Sequence, residues 1–231
     1  MIDPNESFSL ALSHLERYRD LIDAAVAIAT KRRDSPHATP PALQIEAIAH
    51  RIRSRVPHLA SRAALRERGS SGILAYLHEA LYEDLGLGDD GDIPLHPDAA
   101  DINLVLETGR GLPIVCSLIY CAVAERLGIE AFGIDSPGHF LVGVFDRGSI
   151  IIIDAFGGGR VIDRDEFAKL IYDFDEDADF EEYLQPALPH AWIDRWLRML
   201  MVACDRCGES HLLPIWSQMI DDTSRLLGPR A

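Results

Sequence analysis

The sequence contains little that would place the protein in a specialised class. Four cysteines in 231 residues are too few for a disulfide scaffold, so we expect reduced thiols and a cytoplasmic location. The chain has no run of apolar residues long enough for a membrane helix, and its first residues lack the pattern of a signal peptide. Basic residues are scarce, with 22 Lys and Arg against 37 Asp and Glu and a net charge of −15. This balance disfavours nucleic acid and membranes as partners, because binding them depends on Lys and Arg.

The rest of the composition is that of an ordinary globular protein. Hydrophobic residues make up 48% and charged residues 26% of the chain, which is long enough for a substantial core. Residues 1–100 carry apolar residues at helical spacing and predict an N-terminal helical region. Residues 183–231 contain two more such segments, which predict a C-terminal helical extension in the form of a hairpin.

The middle of the chain, residues 101–170, predicts a buried helix followed by a sheet. The helix is delimited by Pro113 at its first position and by Gly128 at its end. The runs IEAFGID, HFLVGVF and SIIIIDAF predict three strands, and the last two are apolar on both faces, which indicates a sheet covered on both sides. The expected fold class is α+β, with this helix packed on an antiparallel sheet and flanked by the N-terminal and C-terminal helices.

Three residues of this region could form a nucleophilic site: Cys116, His139 and Asp154. Cys116 lies in the first turn of the predicted helix, where the helix dipole favours a thiolate. If the last two strands form a hairpin around Asp146-Arg147, His139 faces Asp154; around Arg147-Gly148, the two lie one diagonal step apart on the same face. His139 would then be the base and Asp154 would orient it. In the competing interpretation, His139 and Asp154 only hydrogen-bond to each other, and Cys116 is an inert buried cysteine.

Cys204 and Cys207 form the other cysteine pair of interest. A zinc site would need two further ligands, and although His211 is near, no second pair appears in the sequence. We interpret these cysteines as core or partly exposed thiols, and we expect no metal and no cofactor.

The segments INLVLETGRGLP, PGHFLV and DAFGGGR follow one another along the chain. Together they resemble the transglutaminase-like superfamily, and within it the bacterial SirB-type branch, whose members show N-x-VLE-x-R-x-G-I-P, PGHFLV and D-x-F-x-GGR. The residues that fit this pattern are Asn103, Val105, Leu106, Glu107, Arg110, Gly111, Pro113, Pro137, Gly138, His139, Phe140, Asp154, Phe156, Gly158, Gly159 and Arg160. The likeness covers residues 40 to 170, and the C-terminal helices resemble the helical, TPR-like tail that often follows.

The resemblance implies a papain-like fold in which a helix carries the nucleophile and a sheet carries the histidine and the aspartate. His139 and Asp154 match the second and third members of the superfamily's triad. The usual position of the nucleophile is occupied by Pro113 in this chain, and Cys116 lies one helical turn later. We therefore expect a catalytic thiol that has been rebuilt one turn along the helix.

The expected function on this resemblance is cysteine-dependent acyl transfer through a thioester on Cys116. The substrate would be a small-molecule or peptidyl acyl group, as an amide or as a thioester on a carrier protein. Hydrolysis, amide formation and Dieckmann-type cyclisation all stay open. The apolar residues Leu141, Ile152 and Phe156 would suit a lipophilic acyl chain, although core packing accounts for them equally well. The alternative function is a non-catalytic binding or regulatory module that uses the same cleft and its helical tail.

Overall fold

The structure, a computed structural model, describes residues 18–32, 39–56, 69–88 and 95–227. The helices are α1 Tyr18–Arg32, α2 Pro41–Arg55, α3 Ser71–His78, α4 Ile102–Thr108, α5 Pro113–Leu127, α6 Arg164–Tyr172, α7 Phe180–Tyr183, α8 Pro189–Arg206 and α9 Leu213–Leu227. A π-helical turn, Glu79–Asp84, follows α3, and short 3₁₀ turns span Pro97–Ala100 and Ser210–Leu212. The strands are β1 Ala131–Asp135, β2 Phe140–Asp146, β3 Ser149–Asp154 and β4 Arg160–Ile162. The predicted α+β fold is confirmed, and the start of the first predicted helix lies outside the described residues.

The four strands form one antiparallel sheet in the order β1-β2-β3-β4. The β2–β3 turn is Arg147-Gly148, since Asp146 pairs with Ser149. Both turn residues have positive φ, 51° and 84°, as in the type I′ turn that matches the twist of a hairpin. The second of the two predicted registers is therefore the observed one. The short strand β4 was not predicted.

Helix α5 is the centre of the molecule. Pro113 opens it after an extended Leu112, and Gly128 ends it at φ 80°, as predicted. From Ile114 to Ala124 every residue of the helix is buried, so α5 has no solvent face in this stretch. A helix that is apolar all round is surrounded by other elements, and both Cys116 and Cys121 are enclosed with it.

The two faces of the sheet pack against different helices. One face, which includes Val142, Val144 and Ile153, belongs to the large core around α5. The other face belongs to a smaller core under α6 and α7; its buried members are Phe132, Ile134, Leu141, Ile152, Ile162, Phe167, Ile171 and Leu184. The predicted coverage of the sheet on both sides is confirmed.

The N-terminal and C-terminal helices contribute to the same large core as α5. Trp192, Trp196 and Trp216 of the C-terminal hairpin are buried there, and each contributes on the order of 2–3 kcal/mol of burial energy. The side chain of Arg32 on α1, which is 7% exposed, donates to Glu209 at 2.8 and 2.7 Å and also to Asp98, and these bonds tie the two ends of the described chain together. Within the described ranges, no helix is long and apolar enough to cross a membrane.

Candidate functional site

The thiol of Cys116 is enclosed in the core. Its residue is 0% exposed, and its N–H donates to the Leu112 carbonyl at 3.0 Å in the first turn of α5. A Cβ on Gly111 would lie 3.1 Å from Cys116 Sγ and 2.7 Å from Val105 Cγ1. The sulfur therefore packs directly against the backbone of Gly111, which lies in the connection between α4 and α5. This position has no space for a side chain.

The environment of Cys116 favours the neutral thiol. Burial raises the pKa of the Cys116 thiol well above its ordinary value, and the negative charge of Asp154 raises this pKa further. The backbone N–H groups of Cys116 and Gly111 lower the same pKa, because they stabilise a thiolate. Burial is the largest of these effects, so the thiol is protonated at neutral pH.

His139 lies at the end of the loop between β1 and β2, and its side chain is exposed. Its carbonyl accepts a hydrogen bond from Ser136 Oγ at 2.9 Å, which fixes the backbone of the loop. Among the described residues, its ring has no hydrogen bond and no ion pair, either with Cys116 or with Asp154. The described structure therefore shows no hydrogen bond through which the imidazole would take the proton of the thiol.

Asp154 ends β3 and organises the turn that follows. Its Oδ1 accepts hydrogen bonds from the N–H groups of Phe156, at 3.2 Å, and Gly157, at 2.8 Å. An aspartate that caps a turn in this way has a structural role of its own. The structure thus places Cys116 and Asp154 in electrostatic contact but does not join His139 to either of them.

Strand alternation orients the side chains of β2 and β3 next to the site. Val142 and Ile153 point toward α5, so Leu141 and Ile152 point toward α6 and α7. Asp154 is the last residue of β3 and follows Ile152 in this alternation, whereas His139 precedes β2, so the alternation does not set the direction of its side chain. It is from this strand end that the charge of Asp154 acts on Cys116.

The residues expected to line a substrate site take two different positions. Leu141 and Ile152 are 0% and 4% exposed, and they pack in the small core under α6 and α7. The structure gives them the core-packing role that the sequence left open. Phe156 is half-buried against the large core and, of the three, it alone adjoins the Cys116 side of the sheet.

Sequence reasoning missed a polar residue next to the thiol, Tyr82. Burial raises the pKa of its hydroxyl, and the charges of Tyr120, Cys116 and Asp154 add to the effect, so this hydroxyl lies among the titratable groups of the site. Its ring occupies the space in which a Cβ on Gly159 would be placed, at 2.2 Å. Tyr82 belongs to the π-helical turn, a rare local structure that often marks functional sites and that no simple sequence pattern predicts.

One histidine of the described chain, His78, contacts this polar cluster. Its Nε2 lies 2.9 Å from the Tyr120 hydroxyl, and its ring packs edge-on against Tyr82. Burial lowers the pKa of His78, so the imidazole is neutral at physiological pH. The four-residue spacing of His78 and Tyr82 predicts that the two share a helix face, but it does not indicate that they lie next to Cys116. Together with Cys116 they form a largely buried cluster of neutral polar groups.

The fold and the site define a class of protein: a buried helix with a thiol in its first turn, packed on an antiparallel sheet that carries a histidine and an aspartate at the strand ends. The chain belongs to the transglutaminase-like superfamily, whose family model matches residues 42–198. Members of this superfamily commonly carry out acyl transfer with a Cys-His-Asp site. Membership of the superfamily, expected from the sequence motifs, is confirmed.

The curated relatives are bacterial and eukaryotic. A UPF0162 protein of Xylella fastidiosa is 33% identical over 125 residues, which cover 52% of this chain and 44% of that protein. A UPF0162 protein of Pseudomonas aeruginosa is 32% identical, over 54% of this chain and 43% of that protein. Human F-box only protein 21 is 30% identical, over 52% of this chain and 21% of that protein. The matched region is thus less than half of each of these relatives, and no solved structure matches the chain.

Proposed function

We propose that this transglutaminase-like domain is a binding module and that Cys116 is not a nucleophile in its folded state. The observation that carries the proposal is the burial of Cys116, which is 0% exposed and has a raised thiol pKa. A catalytic thiol needs a base within hydrogen-bond reach and a path for the substrate carbonyl. Here the exposed His139 offers no such bond, and Gly111 and Val105 fill the space around the sulfur.

The polar groups of the site support a structural role for it. The Asp154 carboxylate is engaged by the turn before β4, and the Nε2 of His78 is engaged by the hydroxyl of Tyr120. Groups that satisfy one another in a closed interior stabilise one packing arrangement of the elements that carry them. In this case the His78–Tyr120 bond ties α3 to α5, and the Tyr82 hydroxyl, which donates to the Ala155 carbonyl at 3.4 Å, ties the π-helical turn to the end of β3. The exposed loop at His139 and the C-terminal helices then remain as the surface on which a partner is held.

Acyl transfer through Cys116 is the second candidate function. It is favoured by the two backbone N–H groups, of Gly111 and Cys116, which stabilise a thiolate at the start of α5. In that reaction His139 would accept the thiol proton and the sulfur would attack an acyl carbonyl. His139 would then protonate the departing amine or thiol, which leaves a thioester on Cys116. Water or another nucleophile would release the acyl group. This function requires the site to rearrange first, because the thiol is enclosed and, among the described residues, His139 makes no hydrogen bond to it in the present conformation.

An acyl-transfer assay by intact-protein mass spectrometry separates the two functions. The exposed Cys207 should be replaced by serine, so that it cannot react nonspecifically. The protein is then incubated with a glutamine-containing peptide and, separately, with an acyl thioester of pantetheine. We expect no acyl adduct on Cys116 with either donor. An adduct on Cys116 that disappears in Cys116→Ala and in His139→Ala would refute the binding-module proposal and establish acyl transfer.

A further inference from the structure

A polar pocket lies between the end of β1 and the C-terminal hairpin, away from Cys116. It has a volume of about 370 Å³ and is lined by side chains of α8 and α9 together with Asp135. A volume in this range is typical of small-molecule sites. The polar side chains that matter for its chemistry are Asp135, His190, Asp194, Arg195, Arg198 and Ser224.

The two carboxylates of the pocket are already engaged by its two arginines. Arg195 Nη1 donates to Asp135 Oδ1 at 2.5 Å and to the carbonyl of Ser136 at 2.7 Å. Arg198 donates from Nε and Nη2 to the two oxygens of Asp194, at 2.6 and 3.0 Å. Most of the hydrogen-bond acceptors in the pocket therefore already have a donor.

The groups of the pocket that can still form hydrogen bonds are mostly donors. Arg195 keeps Nε and Nη2, and Arg198 keeps Nη1, without a partner in the described part of the chain. The ring of His190 and the hydroxyl of Ser224 are likewise uncommitted there. The guanidinium of Arg195 is held in place, because it also lies over the Phe140 ring at 5.7 Å. Fixed guanidinium donors without acceptors match the oxygens of a carboxylate or a phosphate.

We propose that this pocket binds a small organic anion through its carboxylate or phosphate group, with Arg195 and Arg198 as the principal donors. The chain as a whole is strongly acidic, with a net charge of −15, so attraction comes from these local donors rather than from the overall field. The pocket binds such a ligand whether or not Cys116 reacts, since none of its lining residues belongs to the thiol site.

Binding in the pocket is coupled to the loop that carries His139. Arg195 holds Asp135 and the carbonyl of Ser136, and Ser136 Oγ in turn donates to the carbonyl of His139 at 2.9 Å. An anion that draws the Arg195 guanidinium toward the pocket changes its bonds to this loop. The environment of the exposed His139 ring therefore responds to the ligand, although the ligand does not touch it.

The test is an NMR titration of the full chain with inorganic phosphate and, in a second arm, with glutarate, both at constant ionic strength maintained with chloride. We expect saturable shifts in the signals of His190 and Ser224, with smaller shifts at His139. Arg198→Gln removes charge-assisted donors and should weaken binding roughly tenfold, and His190→Gln should weaken it less. Arg198 is 65% exposed, so its replacement should not prevent folding.

Arg164→Gln is the matched control, because it removes one positive charge from a surface pair with Glu181 on the opposite side of the sheet. It should leave the affinity unchanged. Saturation by one anion alone identifies the ligand group as phosphate or as carboxylate. The absence of saturable shifts with both anions would overturn the proposal. Equal weakening by Arg164→Gln and Arg198→Gln would overturn it as well, because it would show nonspecific attraction.

Discussion

Replacing Gly111 with alanine tests how tightly Cys116 is enclosed. Gly111 does not use a positive φ, so its backbone accepts alanine and any effect comes from packing. The new methyl carbon would lie 3.1 Å from Cys116 Sγ and 2.7 Å from Val105 Cγ1, whereas carbon contacts are normally about 3.5–4.0 Å. Overpacking of this kind in a closed core costs about 1–3 kcal/mol of unfolding free energy. Urea denaturation of the wild type and of Gly111→Ala measures the loss.

A second substitution shows whether the loss comes from this contact. Val105→Ala alone should cost about 2 kcal/mol, since it removes two buried methyl groups. In the double variant Gly111→Ala/Val105→Ala the new methyl gains space, so the combined loss should be smaller than the sum by about 1 kcal/mol or more. If Gly111→Ala is as stable as the wild type and the two changes are additive, the thiol is not enclosed as described.

Three further predictions concern the groups around the site and the two ends of the described chain. Burial lowers the pKa of His78 from its ordinary 6.5, so the unfolded chain gains the proton first as the pH falls. Stability should therefore decrease from about pH 7 to about pH 5, and urea midpoints of His78→Gln should depend less on pH. Arg32→Ala removes the cation that Glu209 and Asp98 share, and it should lower the free energy of unfolding, measured by urea denaturation, by about 2–3 kcal/mol. The control Arg164→Ala removes an exposed ion pair and should lower it by less than about 0.5 kcal/mol. Gly159→Ala places a Cβ at 2.2 Å from the Tyr82 ring at a φ of 76°, and should cost about 2 kcal/mol or more in the same assay.

The elements with clear end signals could be predicted from the sequence. Helix α5 has Pro113 at its first position and Gly128 at its end, and these residues fix its bounds independently of the rest of the fold. The β2–β3 hairpin could be narrowed to two possible registers, because the segment DRG, which ends in Gly148, indicates a short turn between the two strands. The three residues of β4 are too few to show the alternation that predicts a strand. This strand forms because the turn capped by Asp154 directs the chain back along β3.

The site was harder to predict than the fold for a physical reason. Alternation along the strands predicts that His139, Leu141 and Asp154 share a face, but it does not predict which face meets α5. Since both faces are apolar and both are covered, composition cannot decide between them. The same limit applies to Tyr82, whose position next to Cys116 depends on a π-helical turn that the apolar spacing does not indicate.

The alkylation rate of Cys116 as a function of pH tests the central claim, that this thiol is not activated, most directly. Iodoacetamide labelling, read by peptide mass spectrometry in the wild type and in His139→Ala, gives the rate for each cysteine separately. Cys121 is the internal control, since it is equally buried and burial raises its thiol pKa as well. We predict that Cys116 reacts as slowly as Cys121, far more slowly than the exposed Cys207, and equally in both proteins. Labelling of Cys116 that is fast well below pH 8.5 and that slows in His139→Ala would show a histidine-activated thiolate and contradict the claim.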